Sequence, residues 1–175
     1  VLTHDVDWVT PREPVSLAKS LVRAVRPQGR WVPLGQAVSG DAFLRSVERL
    51  LELEAEAGAR SWFFMLAGPY RPSRFGSRYA CTWRAARRIV AAVRAAGCLV
   101  GLHSSYWARE ARSYARETAR LSECLGEPVR VHRSHYLRFD RERLWEDLEE
   151  AGIEVDSSVG LASGLGFRAG LATPY

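Results

Sequence analysis

The chain has 175 residues, 47% of them hydrophobic and 26% charged, which suits one globular domain with a sizeable core and is too short for two. No stretch approaches the roughly 20 consecutive apolar residues of a membrane helix, and the net charge of +5 comes almost wholly from arginine, Lys19 being the sole lysine. The arginines alternate with acids at helical spacing, as in Arg45/Glu48/Arg49/Glu52 and Arg109/Glu110/Arg112/Arg116/Glu117, a pattern of solvated helix faces that argues against a nucleic-acid partner.

Taken in chain order, short apolar runs alternate with amphipathic stretches. Val1–Thr3 reads as the interior of a strand, rather than a natural chain start, that ends at His4-Asp5-Val6-Asp7. A loop rich in Pro, Gly and Trp follows from Trp8 to Gly40, with a helix near Val15–Val25. Asp41 is an N-cap for a helix to Ala57, with Phe43, Leu44, Val47, Leu50 and Leu51 on one face and Gly58 as its stop. Ser61–Leu66 is a buried strand, and the Gly-, Pro- and Arg-bearing segment Ala67–Tyr79 is a loop. Thr82 caps a helix through Ala96, which Gly97 closes.

Cys98–Leu102 is the next strand, running into His103-Ser104-Ser105. Arg109–Leu125 is helical until Gly126-Glu127-Pro128, Val129–His135 is a strand, and Asp140 caps a helix to Ala151 that Gly152 stops. Ile153–Val155 is a final strand ending at Asp156-Ser157-Ser158. Strand-then-helix units of this length predict an α/β fold with a parallel sheet, either a barrel or a doubly wound sheet.

Chemistry-bearing residues concentrate where predicted strands finish: His4/Asp5/Asp7, His103/Ser104/Ser105, Arg133/His135 and Asp156/Ser157. All four histidines, His4, His103, His132 and His135, fall at these ends, the rim where parallel β/α folds place their sites. Asp5 and Asp7 are two apart and share one side of an extended strand. Two carboxylates in one pocket repel unless a cation sits between them or one stays protonated, and a metal beside a carboxylate base resolves the conflict. Alternation likewise puts Arg133 and His135 on one face with His132 opposite.

The cysteines, Cys81, Cys98 and Cys124, are odd in number and widely spaced, which argues against a disulfide framework or a cysteine zinc site. There is no Walker-type loop and no Gly-x-Ser-x-Gly elbow. His4-Asp5 lacks the His-x-Asp spacing of other metallohydrolase barrels, and no further pair of rim carboxylates suits glycoside hydrolysis.

In their order these clusters resemble the polysaccharide deacetylase family, the NodB-like carbohydrate esterases, over Leu2 to about Tyr175. Leu2-Thr3-His4-Asp5-Val6-Asp7 is similar to the first motif, in an Asp-x-Asp form. Gly101-Leu102-His103-Ser104-Ser105 resembles the second, with Trp107 standing where the family has its second ligand histidine. Arg133-Ser134-His135-Tyr136 resembles the third, with histidine in place of proline, and Val155-Asp156-Ser157-Ser158 the fourth.

The resemblance implies a single catalytic domain over residues 1–175, an irregular (β/α) barrel whose last strands lie beyond Tyr175. It implies a metal-dependent hydrolase that removes N- or O-linked acetyl groups from a surface polysaccharide. Asp5 would be the base, Arg133 its orienting partner and Asp156 a supporting carboxylate. Asp7, His103 and His135 would bind a divalent metal, zinc first, with His132 or His4 next in line as third ligand. The family's general-acid histidine has no counterpart, leaving His132 or His4 for that role. Ser104, Tyr106, Trp107 and Arg168 are candidate substrate contacts, with Trp8 and Trp31 also in loops near the rim. The alternative is a non-catalytic carbohydrate-binding relative with a degenerate metal site. The compartment is left open between cytoplasm and cell envelope.

Overall fold

Five parallel strands, hydrogen-bonded side by side in chain order, make up the single sheet of the computed structural model, which describes residues 2–9, 41–71, 73, 75–140 and 142–160. The elements are β1 (Leu2–Val6), α1 (Asp41–Glu56), β2 (Ser61–Leu66), α2 (Arg84–Ala95) and β3 (Leu99–Ser104). They continue with α3 (Ala111–Leu125), β4 (Val131–Ser134), a 3-10 turn (His135–Leu137), α4 (Leu144–Glu150) and β5 (Val155–Asp156). The α/β class with a parallel sheet is therefore observed. The helix expected near residues 15–25 lies outside the described residues, as do Trp31 and Arg168.

The helices form where apolar residues recur every three or four positions, and they stop where a backbone leaves the right-handed region. Gly58, Gly97, Gly126 and Gly152 follow α1 to α4 with φ between 65° and 78°, a conformation that costs other residues a steric penalty. Starts are less regular than stops. Thr82 does not cap α2: the N-cap is Trp83, in extended conformation, with no side-chain bond to the helix. Asp140 accepts the Glu142 N–H at 3.0 Å, yet regular helix begins only at Leu144.

Strand alternation divides the sheet into two chemically distinct faces. One packs on the helices and buries Phe63, Met65 and Leu102 with Leu44, Val47, Ile89, Val93, Leu121 and Leu148. Each such side chain contributes about 1.5–3 kcal/mol by leaving water. The other face carries Asp5, Phe64 and Gly101 in one lateral row, and Leu66, His103 and Arg133 in the next. A Cβ on Gly101 would lie 2.8 Å from the Phe64 ring, so only glycine lets that ring lie over β3. The buried Tyr79 fastens the ends of β1 and β2, its hydroxyl donating to the Val6 carbonyl at 2.7 Å and accepting the Leu66 N–H at 2.8 Å. That clasp fixes the backbone one residue before Asp7.

Candidate metal centre

Asp7, His103 and His135 leave β1, β3 and β4 at their C-terminal ends and converge, each offering one ligand atom within 4.8 Å of the others. Asp7 Oδ1 is 3.5 Å from His103 Nε2 and 3.4 Å from His135 Nε2. These separations are long for charge-assisted hydrogen bonds. They match the ~3.3–3.6 Å between atoms that share one tetrahedral zinc at ~2.0–2.2 Å. Asp7 Oδ1 is buried and makes no hydrogen bond, and neither does His135 Nδ1. Burial opposes ionisation of Asp7, but the two imidazoles outweigh it and hold the carboxyl well below its ordinary range.

The tautomer of His103 follows from its neighbour. Its Nδ1 lies 3.0 Å from the Arg133 carbonyl, which can only accept, so Nδ1 carries the hydrogen and Nε2 turns a lone pair toward Asp7. A backbone carbonyl in this position is a common outer partner of metal-ligating histidine. The two imidazoles meet edge to face, with centroids 4.8 Å apart.

Beside this cluster, on the same face, Arg133 reaches from β4 across the sheet to β1. Its Nη1 donates to Asp5 Oδ1 at 3.0 Å, and its Nη2 donates to Thr3 Oγ1 at 2.9 Å and to Ser157 Oγ at 2.6 Å. The guanidinium also sits 4.5 Å from the Phe64 ring centroid. With so many contacts it has one available position, and it fixes the Asp5 carboxylate, which is one-third exposed.

Other expected residues lie elsewhere. Ser104 and Asp156 belong to the helix-packed face, where His132 Nδ1 donates to Asp156 at 2.8 Å and Ser104 Oγ donates to His132 Nε2 at 2.8 Å. Asp156 also accepts from the Ser158 hydroxyl and N–H, and Ser158 Oγ accepts the Ser134 N–H, so the network joins β3, β4 and β5. Ser104, His132 and Asp156 have the strand parity opposite to His103 and Arg133, so the structure does not bring them to the face that carries the cluster. His4 is not there either; its Nε2 pairs with Glu54 of α1 at 2.5 Å. Neither His4 nor His132 is placed to serve as third ligand, because each occupies the strand position of opposite parity to the cluster.

An aromatic wall borders the centre. Phe75 stacks on Tyr106 at 4.5 Å, Trp107 and Tyr136 meet Tyr106 edge-on, and the Arg138 guanidinium lies 4.0 Å from the Tyr106 ring. Trp107 and Tyr136 are half exposed, while Trp8 packs under Arg78 at 4.0 Å. The loop bearing Tyr106 and Trp107 is held by Glu117 of α3, which accepts from Ser105 N–H at 2.7 Å and Ser105 Oγ at 2.6 Å. Burial pushes the Glu117 carboxyl up.

Tyr136 is the residue that sequence reading missed. It follows His135 directly and adopts φ 59°, ψ 20°, with Leu137 also left-handed at φ 51°. No glycine or asparagine marks that turn in the sequence. The strand expected to run to His135 ends at Ser134 because the chain turns there. Comparison of the chain with protein-family models, with curated proteins and with solved structures found no match to any of them.

Proposed function

We propose that the protein is a metal-dependent hydrolase that removes acetyl groups from a carbohydrate, in the manner of a polysaccharide deacetylase. The observation that carries this reading is the convergence of Asp7, His103 and His135 on the sheet face that also bears the Asp5–Arg133 pair. One carboxylate oxygen and two imidazole nitrogens fit a zinc-type ion and leave positions for water and substrate. Such an ion supplies Lewis acidity to the acetyl carbonyl. Asp5, oriented by Arg133, takes the proton of the attacking water at its carboxylate. The exposed rings of Trp107 and Tyr136 offer apolar faces to a pyranose.

The same reading extends the sheet to an irregular β/α barrel. What supports it is the unbroken strand order β1 to β5, with no reversal of the kind that creates a switch point in doubly wound sheets. The cluster at the C-terminal strand ends is also where barrel enzymes keep their chemistry.

Metal analysis after zinc repletion, paired with acetate release from acetylated glycans, tests the proposal. About one ion per chain in the wild type, lost in His135→Ala together with acetate release, is the expected result. A wild type that stays metal-free overturns it. A second reading, glycan binding without catalysis, is favoured by one observation: His4 and His132 are both tied up on the helix side, leaving no third histidine beside the cluster among the described residues. Glycan binding with metal bound and no acetate released would select that reading.

A further inference from the structure

Cys81 and Cys124, 43 residues apart in sequence, place their sulfurs 3.0 Å from each other. That is inside the contact distance of two unbonded sulfurs, and about 1 Å of movement brings them to the ~2.05 Å of a disulfide. Cys81 precedes α2, Cys124 lies in the last turn of α3, and Cys98 is separate, its sulfur near the Ser61 hydroxyl. We infer that Cys81 and Cys124 are a disulfide-forming pair that cross-links the loop after β2 to α3 when the protein meets a disulfide-exchange partner of the glutathione class.

Access and charge favour one order of events. Cys81 is 3% exposed, whereas Cys124 is partly open and borders a cavity of about 200 Å³ lined by Arg87 and Arg94 along with both cysteines. The guanidinium of Arg87, and that of Arg94, which also pairs with Glu127 at 3.1 Å, suit an anionic peptide disulfide. Burial, with the neighbouring Cys124 thiol adding to it, pushes the Cys81 thiol up to about 12, so the thiol at the cavity mouth reacts first. The Cys124 thiolate attacks one sulfur of oxidised glutathione, forming a mixed disulfide and releasing one glutathione thiolate. Cys81, giving up its proton, then attacks the Cys124 sulfur, forming the Cys81–Cys124 bond and releasing the second glutathione. Two electrons and two protons pass from the cysteines to the two glutathiones.

The link would bear on the metal centre through the backbone. Cys81 follows Tyr79 by two residues, and the Tyr79 hydroxyl clasps Val6, the neighbour of Asp7. The inference does not depend on the reaction proposed above, because thiols are counted without reference to metal or acetate.

The test uses the whole chain, reduced and then exposed to oxidised glutathione, with thiols titrated in denaturant and peptides mapped by mass spectrometry. Three thiols are expected in the reduced protein and one after oxidation, that one being Cys98, with a Cys81–Cys124 peptide and a mass lower by two hydrogens. The midpoint of thermal unfolding should rise by roughly 8–16 °C on oxidation, the effect of closing a loop of this length in a chain of this size. Cys81→Ser should stop at a glutathione adduct on Cys124, and Cys98→Ser should oxidise like the wild type. Three thiols remaining, a link through Cys98, or stable glutathione adducts on the wild type would each overturn the inference.

Discussion

Arg133 Nη1 and Asp5 Oδ1, 128 residues apart in sequence and 3.0 Å apart in space, join the two strands that flank the candidate metal centre. The proposed deacetylase reaction gives this pair a testable role. Asp5→Asn keeps the shape and the metal ligands but cannot accept a proton as a carboxylate does. Acetate release should fall by about 10²–10⁴-fold while metal content stays near one per chain. Arg133→Lys, which cannot keep the forked contacts to Asp5, Thr3 and Ser157, should lower turnover by at least about tenfold with metal retained. Elemental analysis and initial rates on the same preparations check both.

His4 and His103 separate structure from ligation. His103→Ala removes a converging nitrogen and should abolish stoichiometric zinc binding. His4→Ala leaves the centre intact but strips the 5% exposed Glu54 of a partner, leaving it the Ser61 hydroxyl. A loss of about 1–2 kcal/mol in unfolding free energy with unchanged zinc content is expected. Zinc loss in both variants would make His4 a ligand after all.

His132 predicts a pH dependence of folding. Burial lowers its pKa from 6.5, outweighing the attraction of Asp156, so the folded protein holds the ring neutral. Below pH 6.5 the unfolded chain takes up a proton that the folded one refuses, so stability is full above that pH. It falls as the pH drops toward the folded value, by about 1.4 kcal/mol per unit for this group. His132→Gln should flatten that slope below pH 6.5 in denaturant titrations, and should cost roughly 2–4 kcal/mol at neutral pH by disturbing buried Asp156 and Ser104.

Tyr136 should show a trade between stability and recognition. Its φ of 59° is a conformation that glycine adopts without penalty. Tyr136→Gly should raise unfolding free energy by up to about 1 kcal/mol. The same change removes an exposed ring beside His135 and should raise KM for the glycan by roughly threefold to tenfold. An unchanged or lower KM would remove Tyr136 from the proposed sugar-binding surface.

Much of this arrangement was legible in the sequence through two periodicities. The helical repeat with terminal glycines placed all four described helices, and the alternation of strand side chains foretold that Arg133 and His135 share a face opposite His132. The same parity, applied one residue further, separates Ser104 from His103 and His4 from Asp5, so their position on the helix side was within reach of the sequence. What was not legible depends on the tertiary fold. The left-handed turn at Tyr136 and Leu137 is imposed on residues with no preference for it. The approach of Cys81 to Cys124 is set by how α2 and α3 dock, and the side-by-side order of the strands comes from long-range pairing that no local pattern encodes.

The contact between Gly101 and Phe64 couples positions that seem unrelated in one dimension. A methyl group at 101 would displace the Phe64 ring, and that ring is the surface on which the Arg133 guanidinium rests. Positions 64, 101 and 133 should therefore be epistatic: a variant library randomising any one alone would record damage, while compensated pairs at 64 and 101 could restore it. An absent side chain on one strand thus constrains which charge another strand can carry.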